Sequence, residues 1–387
     1  MLNTTIEEAF EINPTITIKR DAEVPFVSMD RLTPGQRDVD AGEIRQFRSG
    51  SKFAAGDTLM ARITPCLENK KIARYLPNDN FNKIAAGSTE FIVLRGKPGI
   101  TTTEFSYYFA ITPTIHETAI ALMTGTSGRQ RVDMAAFRAQ EVEIPKLAEQ
   151  RKITDLLGAL DDKITANVRV LKTANELVKN LYTAIPKSSN HAIESIGELV
   201  KKNVKPEEMD DSKALINLEH FDSKQIWISR HAQVPEATSA KSSFQVGDVL
   251  FGKLRPYFRK VGVAPIGGYC STDVLVVRPR EDSYRGLLLA AMSAEETVAI
   301  ATQNSNGTRM PRAKWADIAS CAIPDPDDPK SIELGKLMDV LIPKCNALIH
   351  ENHVLARTRD ELLPLLMSGR ITVGEAEEAA DEAASES

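Results

Sequence analysis

The feature that most constrains this chain is that it repeats itself. Phe53-Ala-Ala-Gly56-Asp57-Thr58-Leu59 recurs as Phe244-Gln-Val-Gly247-Asp248-Val249-Leu250, and the match runs on ungapped to Ile63-Thr64-Pro65 and Leu254-Arg255-Pro256. Upstream, Thr5-Ile6-Glu7-Glu8 answers Ser195-Ile196-Gly197-Glu198, and Val27-Ser28-Met29-Asp30 answers Ile216-Asn217-Leu218-Glu219. Downstream, Ser88-Thr89-Glu90 through Arg95 answers Ser271-Thr272-Asp273 through Arg278. A Gly/Arg loop at 125–131 then answers 305–312, and Glu143-Ile144-Pro145 answers Ala322-Ile323-Pro324. Constant order with a slowly drifting offset is what loop-length differences between two copies of one fold produce.

Each copy mixes local signals. Phe91–Leu94 and Val274–Val277 are short β-branched runs bounded by turn residues and read as strands. Gly56 and Gly247 suit a turn feeding a further strand. The Ala/Leu/Met-rich stretches 105–122 and 284–302 read as helices. The fold class is therefore α+β, with two similar globular domains in tandem.

A longer helical segment follows each copy. Ile153, Leu157, Leu160, Ile164, Leu171, Ala174, Val178 and Leu181 alternate spacings of three and four, interrupted at Asn167. A period of about 3.5 residues with one polar core slot is a coiled-coil pattern. The second segment carries Met338, Ile342, Cys345, Ile349, Asn352 and Leu366, with Asn352 opposite Asn167 in the alignment. Pro343 and Pro364 predict a kink or a late helix start there. The expected division is 1–148 and 187–328 for the globular domains, 149–186 and 329–370 for the helices, and 371–387 for an acidic tail.

That tail changes the meaning of the net charge. Residues 373–387 hold six acids and no base, and removing them moves the formal charge from −5 to +1. So Ala/Glu-rich a segment reads as disordered. The four cysteines are widely spaced, which suits reduced thiols in a cytoplasmic protein. No run approaches the roughly 18 apolar residues of a membrane span, and Glu7, Glu8 and Glu11 argue against a signal peptide. No membrane association is expected.

The chain lacks the motifs of common chemistries. It has no GxxxxGK[ST], no GxGxxG, no Asn-Pro-Pro-aromatic and no Cys/His set at metal-ligand spacing. No catalytic residue, metal site or cofactor is assigned to it, which leaves binding. Segment 251–280 carries Lys253, Arg255, Arg259, Lys260, Arg278 and Arg280 against Asp273 alone, with Tyr257, Phe258 and Tyr269 interleaved. The first copy has Arg62, Lys70, Lys71 and Arg74 beside Tyr75. Cations with aromatic neighbours suit phosphate contact and base packing. The loops at 125–131 and 304–312 add Arg129, Arg131, Arg309 and Arg312 among Gly and hydroxyl residues. If the copies read different sequences, base contacts must come from residues that differ between them. Arg45, Gln46, Arg48, Arg230 and Gln233 are the candidates.

With Phe-x-x-Gly-Asp-x-Leu, Leu254-Arg255-Pro256, the Gly/Thr/Arg loop before Ile-Pro, and Glu149-Gln150-Arg151-Lys152-Ile153 opening a long helix, the chain resembles the specificity (S) subunit of type I restriction-modification systems. The resemblance runs over about residues 5–370. It implies that each globular domain is a target-recognition domain reading one half of a bipartite, asymmetric site in double-stranded DNA. The helices would pair antiparallel with pseudo-two-fold symmetry, fix the unread spacer and dock two methyltransferase (M) subunits. Helix pairing is expected through Ile153, Leu157, Leu160, Ile164, Asn167, Leu171, Leu181, Ile342, Ile349, Asn352 and Leu366. S-adenosylmethionine, ATP and Mg would belong to the M subunits and the restriction/translocase (R) subunits. From another class, the sequence also fits a non-enzymatic protein-interaction scaffold that works through its coiled coils.

Overall fold

Two strands carry the repeated Gly-Asp motif into the structure. A computed structural model describes residues 1–78, 83–126, 128–234, 239–305 and 310–385. It divides into two units: 1–165 with 351–387, and 166–350.

In the first unit, strand Thr58–Ala61 lies between Phe91–Gly96 and Ile72–Tyr75, and Phe10–Ile12 adds to the far side of Phe91–Gly96. A second sheet orders Glu43–Gln46, Glu23–Val27, Ile84–Gly87 and Ser51–Ala54, its central pair parallel. In the second unit, Val249–Gly252 lies between Val274–Pro279 and Val261–Val263, with Gly197–Leu199 beyond. Its second sheet runs Ala232–Gln233, Ala214–Ile216, Gly268–Cys270 and Lys241–Phe244, again parallel at the centre. Strand Asn203–Val204 extends that sheet with no counterpart among the described residues of the first unit. Apart from such edge additions the topologies are the same, so the duplication read in the sequence is a duplication of fold.

The helices match as well. Thr103–Ile111 packs on the first sheet of one unit and Pro113–Ala121 packs on that helix, as Arg285–Ser293 and Glu295–Gln303 do in the other. Burial explains their composition: Phe105, Tyr107, Tyr108 and Phe109 are all sequestered, as are Leu287, Leu288, Leu289 and Met292.

Two long helices, Leu147–Thr183 and Pro329–Met367, each contribute residues to both units. At 1.5 Å per residue they run about 55–60 Å. In the first unit Asp161 meets Arg359 while Lys163 meets Glu351, so the helices run antiparallel there. Their seam is also part of the domain cores: Ile153, Leu157, Leu362, Leu363 and Leu366 share one cluster with Phe105 and Phe109. Ala174, Val178, Met338, Ile342, Cys345 and Ile349 share another with Leu288 and Met292. Leu160, Ile164 and Leu171 are half-buried, Asn167 is buried and Asn352 half-buried.

Three expectations need correction. Leu181 is 38% exposed, and Tyr182 takes the inward slot; from Val178 a step of four on a 3.6-residue helix points inward where a step of three does not. The second long helix does not start late; it runs unbroken from Pro329 through Pro343 and Pro364 to Met367. The acidic segment is helical over Val373–Ser385, with Val373 and Ala376 packed in the first unit's core. Its start is a capping box in which Thr372 N–H donates to Glu375 at 2.7 Å and Glu375 N–H donates back to Thr372 Oγ1 at 3.3 Å.

Candidate nucleic-acid interface

The repeated acid of the Gly-Asp turn is a fold device. Asp57 is fully buried and accepts two hydrogen bonds from Arg95 at 2.7 Å and one from Ala54 N–H at 2.6 Å. Asp248 does the same with Arg278, both at 2.8 Å, and with Gln245 N–H at 2.8 Å. Gly56 and Gly247 sit at φ +93° and +85°, where a side chain would be strained. These clasps fix the strands that lead to the basic turns.

A second device fixes the turns. Ile63 bridges to Arg131 and Leu254 to Arg312, which stitches each post-strand turn to the following Gly/Arg loop. In the first unit Glu90 accepts Arg131 Nη2 at 2.7 Å and Arg62 Nε at 3.1 Å. Hydrogen bonding from Arg131 first, then from Arg62, holds the Glu90 carboxyl below its ordinary range. In the second unit Arg312 Nε donates to Asp273 at 3.0 Å, and that carboxylate raises the arginine's pKa.

Several cations expected at a phosphate are thus engaged inside the protein. Arg62, Arg131 and Arg312 serve these clasps. Lys71 Nζ donates to the Met29 carbonyl at 3.0 Å, and Lys260 Nζ to the Leu218 carbonyl at 2.7 Å. Met29 and Leu218 are themselves matched positions of the repeat, so the two lysines are one staple used twice. Burial, and then Arg230, lowers the pKa of Lys260. Arg259 and Lys179 share Glu295 at 3.0 and 2.8 Å, and those contacts, Lys179 first, pull the carboxyl down to about 2. Among the described residues no ion pair engages Lys70, Arg129, Lys253 or Arg255; the first two and Arg255 are exposed and Lys253 is half-buried. Tyr257 is exposed. Arg309 lies outside the described residues.

The positions expected to differ between copies fall at equivalent places. Strand Glu43–Gln46 is exposed along its length at a sheet edge, and Ala232–Gln233 occupies the corresponding edge. Arg45 stacks over the Phe26 ring at 4.3 Å and pairs with Glu43, and exposed Gln46 and Arg48 follow it. Arg230 pairs with Asp222 at 2.6 Å. An edge strand exposes free backbone groups beside its side chains, a surface suited to a groove.

Sequence reasoning missed the buried network that ties the first unit to its helices. Arg359 and Asp161, both nearly inaccessible, pair at 2.5 Å, and Asp161 also accepts the Tyr108 hydroxyl at 2.7 Å. Arg37 reaches Asp162 at 2.5 Å and the Gly158 carbonyl at 3.1 Å. In the second unit Trp227 Nε1 donates to the Leu171 carbonyl at 3.0 Å. No spacing rule announces such contacts, whose partners lie as much as 198 positions apart.

Comparison with known proteins shows what the chain is similar to. Residues 41–175 match the family model described as Type I restriction modification DNA specificity domain. The EcoAI type I restriction enzyme specificity subunit of Escherichia coli is 29% identical over 204 residues, which are 50% of this chain and 34% of that protein. The EcoEI specificity subunit of the same organism is 26% identical over 195 residues, 48% and 32% of the respective chains. The matches thus span about a third of the length of these relatives. The crystal structure of a type I restriction-modification S subunit from M. genitalium superposes with a TM-score of 0.56 at 14% identity, covering 95% of this chain and 96% of that one, and so shares its fold. Residues 41–175 thus carry a domain similar to the type I restriction modification DNA specificity domain.

Proposed function

We propose that this chain is the non-catalytic, DNA-reading subunit of a cytoplasmic type I restriction-modification complex. Each unit reads one half of a bipartite site in double-stranded DNA. The observation that carries the reading is the duplicated clasp: two copies of one scaffold hold a basic turn in the same place and decorate it differently. Lys70 and Arg129 in the first unit, and Lys253 and Arg255 in the second, are the cations available for phosphates. The edge strands with Arg45, Gln46 and Arg48, and with Gln233, are where base contacts belong. The division 1–148, 149–186, 187–328 and 329–370 follows from the same reading, with both long helices setting the spacer and docking two M subunits. R subunits would join that assembly, and S-adenosylmethionine, ATP and Mg chemistry would be theirs and the M subunits'.

The test is to map methylated adenines in cells with and without this chain. One bipartite motif should appear that depends on it. Exchanging residues 1–148 for those of another family member should rewrite one half of the motif only; rewriting both halves, or neither, refutes the proposal. Adding four residues to the first long helix should change the spacer, and an unchanged spacer removes the ruler.

A further inference from the structure

The basic turn of the second unit carries something the first lacks. Pro256–Phe258 form a single 3-10 turn flanked by two residues in the left-handed region, Arg255 at φ 50° and Arg259 at φ 54°. Neither is glycine, so surrounding structure must hold this backbone in place. It does so from two sides. Arg255 N–H donates to the Pro311 carbonyl at 2.8 Å, Ser223 Oγ donates to the Phe258 carbonyl at 2.5 Å, and Lys224 N–H donates to the Arg259 carbonyl at 3.1 Å.

On this fixed base stand Tyr257 and Phe258, 50% and 43% exposed, their ring centroids 4.7 Å apart. The fold does not require them. Between Pro65 and Lys71, which match Pro256 and Lys260, the first unit has Cys66, Leu67, Glu68, Asn69 and Lys70, none of them aromatic. Rings that stabilise no core, held out rigidly beside Arg255 and Lys253, pair an apolar surface with cations. Nucleobases beside phosphates present the complementary pattern.

We propose that Tyr257 and Phe258 form an apolar wedge that enters the DNA half-site taken by the second unit and packs on bases at one step, while Arg255 and Lys253 hold the adjoining phosphates. This rests on the DNA-reading function proposed above. It makes the two half-sites mechanically unlike: one is met by a polar turn, the other by a pair of rings.

The experiment uses the full chain, alone and co-expressed with its methyltransferase subunits. The probe is a duplex bearing the mapped bipartite site, with 2-aminopurine stepped through both halves. The wild type should change the fluorescence at least about twofold at one step of the second half and at none of the first. The double variant Tyr257→Ala/Phe258→Ala should lose that change and bind at least about fivefold more weakly, the lower end for base–aromatic stacking. Tyr257→Phe/Phe258→Tyr, which keeps both rings, should restore both. Thermal melting of each variant should match the wild type, since neither ring is in the core. A double variant that binds within twofold and keeps the fluorescence change overturns the wedge. So does one that keeps its DNA affinity but no longer co-purifies with methyltransferase subunits, which would assign the rings to a protein partner. A wild type that binds no duplex in either form overturns the DNA-reading function itself.

Discussion

Replacing Asp248 with alanine tests whether the acid of the repeated motif serves the fold or the DNA. The carboxylate is 2% exposed and accepts three hydrogen bonds, two from Arg278 and one from Gln245 N–H. Removing one partner of a buried pair costs about 3–5 kcal/mol. Arg278 keeps a third of its side-chain surface in water and can recover some solvation, so the lower end applies, about 3 kcal/mol. For a unit of this size that is a fall in Tm of about 6–12 °C. The assay is direct, because both tryptophans of the chain, Trp227 and Trp315, lie in the second unit and report on its unfolding. Asp57→Ala breaks the same geometry at 2.7 and 2.6 Å and should lower stability, followed by far-UV circular dichroism, by an amount within about 1 kcal/mol of the first. A shift below about 2 °C in either variant, with weakened DNA binding, would refute the reasoning and place the acid at the DNA.

Three further outcomes follow from the same contacts. Arg359→Ala leaves buried Asp161 without its cation and should cost about 3–5 kcal/mol by urea denaturation, with Arg359→Lys recovering little because an ammonium cannot replace the guanidinium fork; a loss under about 1 kcal/mol would contradict the anchoring role. Glu295 has a depressed pKa, so its links to Lys179 and Arg259 are complete above the ordinary glutamate range of about 4.3 and are lost as pH falls through about 2; an NMR titration should show this midpoint and its rise in Lys179→Ala, and a wild-type midpoint above 4 would contradict it. Lys70→Ala and Arg255→Ala should each flatten the dependence of log K on log salt by about 0.9, whereas Lys71→Met should leave the slope and lower Tm; the reverse pattern would show that the carbonyl staples are misassigned.

How much of this was legible varies with the range of the interaction. The duplication, the α+β class and the long helices were readable because they rest on local pattern and on order along the chain. The roles of the cations were not, because spacing reveals a charge and conceals its partner. Arg131 and Arg312 looked like free donors in Gly-rich loops, yet each meets the acid of Ser-Thr-Glu90 or Ser-Thr-Asp273, which lies about 40 positions earlier. A signal was present: the arginine and the acid recur together in both copies. Lys71 and Lys260 carried the same signal. The helix at Val373–Ser385 was missed because net charge outweighed a Thr372-x-x-Glu375 capping box and an apolar stripe through Ile371, Val373, Ala376 and Ala380. Leu181 failed for a different reason, since an assumed 3.5-residue repeat drifts against a straight helix over seven turns.

A duplicated chain is its own control, and this separates fold from function without any third sequence. What the copies share is internal: the Asp–Arg clasp, the acid–Arg stitch and the lysine staple all satisfy groups of the scaffold. What they do not share stands at the surface of the same turn, where one copy exposes Tyr257 and Phe258 and the other has no aromatic residue. Because the clasps fix where the turn lies, residues on it can change without disturbing the sheet beneath. One scaffold can then present two different reading surfaces.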